Sequence, residues 1–206
     1  MAKPKKVMKN ILLTLLIFVT PLAAKAAPLK IVNVAAPAIN CVFSTSCSVR
    51  VKDTKEDVPL SKGGEGVLRT RTFKGANGSP AEGLYAYQYR LDLTDAVGTK
   101  PSCIDWISLS FGPVVSTLDF GESTRPDQVF VITSGAVGSI GLTSAVETRG
   151  TIRFTFKSPV CSGTPAAKGA STYFWGLVSA SDPENVNALL HETGGATHVV
   201  KTRSPM

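Results

Sequence analysis

Tyr85-Ala86-Tyr87-Gln88-Tyr89-Arg90-Leu91-Asp92-Leu93 is the stretch that decides the fold class. Its odd positions carry Tyr, Tyr, Tyr, Leu and Leu, and Gln88, Arg90 and Asp92 stand between them. Successive side chains of a strand point to opposite faces, so a period of two with one apolar side predicts a half-buried strand. Ile152, Phe154 and Phe156 alternate in the same way with Arg153, Thr155 and Lys157. Ile107, Leu109 and Phe111 alternate with Trp106, Ser108 and Ser110. Weaker strand patterns cover 30–34, 48–52, 67–73, 128–133, 142–147, 173–179 and 197–201.

Turn chemistry separates these runs. Asn77-Gly78 and Pro80 lie in the loop 75–83, and Thr148-Arg149-Gly150 reads as a short hairpin loop with Gly150 at positive φ. About ten short strands without alternating long helices predict an all-β chain folded as an antiparallel β-sandwich, with a closed β-barrel as the alternative. One short helix is expected near the C-terminus. Asp182 would cap it, Pro183 would take its first position, Val186, Leu189 and Leu190 would share a face, and Gly194 would end it.

The start of the chain has three zones. Residues 1–10 hold four lysines, 11–24 are nearly all apolar, and Ala24-Lys25-Ala26 offers the small residues that signal peptidase accepts. An apolar run of this length falls short of the roughly 20 residues that a spanning helix needs. Residues 1–26 are therefore expected to be a cleaved secretory signal peptide, 27–40 an extended N-terminal segment, and 41–206 a single disulfide-stapled domain. No membrane anchor is expected after cleavage, and the destination is the periplasm or the extracellular space.

The charge balance changes with that cleavage. Lys plus Arg is 22, Asp plus Glu is 15, and the formal net charge is +7. Lys3, Lys5, Lys6, Lys9 and Lys25 all lie in the first 26 residues, which hold no acid, so the remainder carries 17 bases against 15 acids. A domain at +2 lacks the electrostatic footprint of a nucleic-acid binder. With 43% hydrophobic residues the chain is not a disordered polymer either.

Cys41, Cys47, Cys103 and Cys161 all lie in the domain. An even number in an exported chain reads as two disulfides. The preferred connectivity is Cys41–Cys47 across the turn 43–46, and Cys103–Cys161 between strand ends. The spacing does not match the paired cysteines of structural zinc, and neither His191 nor His198 lies near a cysteine in sequence.

A catalytic constellation is harder to find. His191 and His198 are seven residues apart with Gly194-Gly195 between them, which does not fit a zincin helix, and they read as two histidines on an exposed tail. No serine sits in a G-x-S-x-G elbow. Asp119, Glu122 and Asp127 could offer oxygen ligands to calcium, but their spacing matches no EF-hand and Arg125 competes, so an ordinary polar loop is the reading. No catalytic residue, metal or cofactor is assigned.

Aromatic residues are the remaining lead. Trp106 falls on the polar face of its strand, and Tyr173-Phe174-Trp175 puts three rings in a row. Exposed rings on a rigid sheet can stack on sugars or seat a partner. Trp106, Tyr173 and Trp175 are therefore the candidate ligand-binding residues. The expected function is an exported, non-catalytic binding or surface-associated β-sandwich, with a polysaccharide or a surface protein as ligand. Two alternatives are a polysaccharide-active hydrolase using paired carboxylates, and a subunit of an extracellular assembly that pairs through a strand edge.

Overall fold

Among the described residues, twelve strands and one helix follow in chain order: β1 (Ala27–Pro28), β2 (Ile31–Ala35), α1 (Ala36–Phe43), β3 (Thr54–Pro59), β4 (Glu65–Lys74), β5 (Tyr85–Asp92), β6 (Cys103–Ser110), β7 (Val129–Ser134), β8 (Leu142–Thr148), β9 (Thr151–Cys161), β10 (Phe174–Ser179), β11 (Pro183–Glu192) and β12 (Thr197–Pro205). The computed structural model describes residues 26–115, 117–120, 128–135 and 137–205. Residues 1–25 of the expected signal peptide lie outside the described residues, as do Glu122, Arg125 and Asp127 of the expected polar loop.

The strands form two six-stranded sheets, ordered β1-β8-β9-β6-β11-β12 and β2-β7-β10-β5-β4-β3. They pack face to face as a β-sandwich, and neither closes into a barrel. Pairing is antiparallel except for β2 against β7, which runs parallel. The chain at 27–35 crosses between sheets: Pro28 pairs with Val146 in the first, and Ile31 pairs with Val129 in the second. On the opposite side, Thr70 and Thr202 join β4 to β12 by a buried hydroxyl bond of 2.8 Å.

The inner core is built from the alternation seen in the sequence. Tyr87, Tyr89 and Leu91 of β5 meet Ile107 and Leu109 of β6 and Ile152, Phe154 and Phe156 of β9 in one cluster. The second sheet is also covered on its outer face. Val129 and Val131 of β7 point into the sandwich, while Phe130 and Ile132 join a second cluster with Ile39, Val42 and Phe43 of α1. That double burial explains why β7 and β10 read as continuous apolar runs instead of alternating ones.

Both disulfides have the expected connectivity, Cys41–Cys47 and Cys103–Cys161. The second joins directly paired residues of β6 and β9. The first ties the C-terminal half of α1 to the segment that follows it. Two disulfides point to an oxidising compartment. Among the described residues no helix is long and apolar enough to cross a membrane.

Two local expectations need correction. The helix expected after Asp182 is strand β11, which pairs through nine positions with β12 and through five with β6. Two ladders outweigh a two-turn helix, which is marginal alone. The one helix among the described residues is α1, where Pro37 lies in the first turn and Ile39, Val42 and Phe43 are the buried positions. No strand forms at 48–52; that segment runs as irregular chain, and the edge strand β3 follows it. The expected hairpin loop is present with Gly150 at positive φ (73°), and Arg149 beside it also takes positive φ (53°).

Candidate functional site

The three aromatic candidates are not brought together on one surface. Trp175 is 1% exposed, in the inner core against Tyr89, Phe154 and Phe156, at centroid distances of 5.5 to 6.0 Å. It cannot touch a ligand from there, because inward positions of β10 face the first sheet. Tyr173 is half-buried just before β10 and packs against the same core. Trp106 does reach the outer face of the first sheet, but its ring is already engaged. The His191 imidazole of β11 stacks on it at 4.8 Å with an interplanar angle of 7°. The Arg153 guanidinium of β9 lies 4.4 Å from its centroid. Since β6 runs between β9 and β11, these neighbours approach from opposite sides, and the indole offers no open platform for a sugar ring.

The histidines are not on an exposed tail, because both lie in paired strands with carboxylate partners. His191 Nδ1 is 2.8 Å from Asp105 Oδ1. His198 Nε2 is 2.7 Å from Glu192 Oε1, and Glu192 is 2% exposed. The same carboxylate accepts the Ser61 N–H at 2.9 Å and the Ser61 hydroxyl at 2.5 Å. Burial pushes the Glu192 carboxyl up, but the Ser61 and His198 bonds more than offset this and hold it below its ordinary value. An ionised carboxylate only accepts, so His198 Nε2 carries the proton. A nucleophilic serine needs its hydroxyl on a competent base. Here Ser61 and His198 both donate to one weakly basic carboxylate, which makes the cluster a clamp between the 60–64 turn and the strands β11 and β12.

A more open geometry lies on the outer face of the second sheet. A cavity of about 760 Å³ opens there. Its floor is formed by Arg71 of β4, Gln88 of β5, Phe174 of β10 and Ile132 of β7. Arg71 and Gln88 are direct partners across the β4–β5 ladder, and Gln88 in turn opposes Gly176. Ala36 and Asn40 of α1 form one wall, residues 49–52 a second, and Gly135 and Val137 the rim after β7.

The position of Gln88 follows from the alternation of β5. Tyr87 and Tyr89 face the inner core, so Gln88 must face the outer side. That side is covered, and Gln88 is only 3% exposed. Its carboxamide makes no hydrogen bond to any described residue. The amide faces the cavity, where it offers both a donor and an acceptor to whatever occupies the space.

The cavity is also cationic. Arg50, Lys52 and Arg71 line it, and no acid does among the described residues. Arg71 Nε donates to Asp53 at 2.5 Å, and its guanidinium carbon lies 4.0 Å over the Phe174 ring. Arg90 lies farther from the same ring, at 5.9 Å, and is occupied by Asp92, Ser171 and the Thr172 carbonyl.

None of this site was picked out from the sequence. The polar positions Gln88 and Arg71 read as a solvated strand face, because the cover supplied by α1 was not recognised. The signal was present in Pro37 followed by Ile39, Val42 and Phe43 at helical spacing. No family model, curated protein or solved structure matches the chain.

Proposed function

We propose that the protein is an exported, non-catalytic binding protein that holds a small ligand in the cavity between α1, residues 49–52 and the outer face of the second sheet. The observation that carries this reading is a cavity of about 760 Å³ with apolar walls, whose floor presents the Gln88 amide and the Arg71 guanidinium. Small-molecule sites commonly measure ~300–1,000 Å³, with apolar walls and a few placed polar groups. The disulfides support an extracellular or periplasmic setting, and the bonding of Glu192 supports a structural role for the Ser61, His198 and Glu192 cluster.

Thermal-shift screening of the oxidised protein against a library of neutral, cationic and anionic small molecules tests the reading. A ligand present at a hundred times its Kd stabilises the fold by about 2.7 kcal/mol. Hits are expected, and Val137→Trp is expected to abolish them. Val137 is a rim residue 56% exposed, so the substitution narrows the mouth without touching the core. A library without a single binder, or hits that survive Val137→Trp, would overturn the proposal.

A further inference from the structure

Resting on that reading, we infer that the ligand of the cavity is a small organic carboxylate with an apolar body. Three features of the lining converge on this class. The first is charge: Arg50, Lys52 and Arg71 line the space, and among the described residues the carboxylate paired with Arg71, Asp53, takes its Nε edge. Arg50 and Lys52 are exposed, with no ion pair to any described residue.

The second is geometry. The Arg71 guanidinium carbon lies 4.0 Å over the Phe174 ring, Asp53 pairs with its Nε, and its two terminal nitrogens make no hydrogen bond to a described residue. A guanidinium edge of this kind matches the two oxygens of a carboxylate in a bidentate pair. The third is the apolar share of the wall. Val49, Val51, Ile132, Val137 and the Phe174 ring would cover a hydrocarbon or aromatic body, which inorganic anions lack. The Gln88 carboxamide is a donor and an acceptor, so it serves a further polar atom of the ligand or the second lone pairs of its carboxylate.

Isothermal titration of the oxidised full chain tests the class with matched probes: indole-3-acetate against indole-3-acetamide, octanoate against octanol, and inorganic phosphate. The carboxylates are expected to bind at least tenfold more tightly than their neutral partners, and phosphate not to displace them. Arg71→Met should weaken carboxylate binding tenfold or more, and Arg71→Lys, which keeps the charge and loses the fork, should recover only part of it. Arg50→Gln with Lys52→Gln, at exposed positions that do not support the fold, should weaken binding severalfold and reduce its salt dependence.

Neutral partners that bind as tightly as the carboxylates would overturn this inference and leave the cavity as a binding site. So would library hits confined to neutral or cationic compounds. Displacement of the carboxylates by phosphate at comparable concentration would mark an inorganic oxyanion site and overturn it too. Absence of binding by every probe and every library compound would overturn both proposals.

Discussion

Glu192→Gln keeps the shape of a buried side chain and removes its charge, and the structure sets the size of the effect. The carboxylate accepts three hydrogen bonds, from the Ser61 amide, the Ser61 hydroxyl and His198 Nε2. A hydrogen bond to a charged group contributes roughly 1.5–3 kcal/mol. Glutamine can still accept at one oxygen, but its amide nitrogen turns a donor toward the remaining donors. A loss of about 3 kcal/mol at neutral pH is expected, near the lower end for breaking a buried charged pair.

The pH dependence has a definite sign. The carboxyl is held below its ordinary value in the folded state, so the unfolded chain takes up the proton first as pH falls. Its contribution is complete above the unfolded value of about 4.5 and is lost as pH drops through the folded value. The gap between parent and Glu192→Gln should therefore be widest at neutral pH and close progressively below about pH 4.5. Urea unfolding followed by tryptophan fluorescence at pH 7, 5, 4 and 3 measures it, with the buried Trp175 as reporter. Equal stability of the two proteins at pH 7, or a gap that stays constant into acid, would refute the account of this clamp.

The two disulfides should differ in worth because they close loops of different length. The sequence separations are 58 for Cys103–Cys161 and 6 for Cys41–Cys47, which the chain-entropy relation turns into about 4 and about 2 kcal/mol. Non-reducing urea midpoints of Cys103→Ala with Cys161→Ala, and of Cys41→Ala with Cys47→Ala, compare them; equal losses would contradict the loop-length argument. Gly176→Ala should cost about 1–3 kcal/mol by overpacking. An added Cβ would sit 2.5 Å from the Phe130 ring and 2.7 Å from the Tyr87 carbonyl, which belongs to the backbone of β5. Gly194→Ala meets nothing within 4 Å and serves as the control, so similar unfolding temperatures for the two would count against that packing.

The sandwich was legible because its inner core rests on local alternation. Tyr85 to Leu93, Trp106 to Phe111 and Ile152 to Lys157 each present one apolar face, and a sheet with one apolar face needs a second sheet to cover it. The disulfides were legible for a similar reason, since a short turn brings Cys41 to Cys47 and strand ends bring Cys103 to Cys161. The aromatic candidates were harder to place. A ring on a polar strand face is half-buried or open depending on the neighbouring strands, and His191 and Arg153 come from elements far apart in sequence. Glu192 shows the same limit, because Ser61 lies 131 residues away.

The sharpest contrast is between two short stretches with the same local signature. Pro37 precedes Ile39, Val42 and Phe43, and Pro183 precedes Val186, Leu189 and Leu190, each triplet at i, i+3 and i+4. One is the helix α1 and the other is the strand β11. By itself the sequence determined the apolar content, the strand periods and the Cys41–Cys47 loop, all of which depend on near neighbours. Only the tertiary structure decided between helix and strand. Residues 183–192 lie between β6 and β12 and satisfy their backbone in two ladders. Residues 36–43 leave the edge strand β2 with no such partner, so they satisfy their backbone within a helix. Closing that helix onto Phe130 and Ile132 left the cavity beside it.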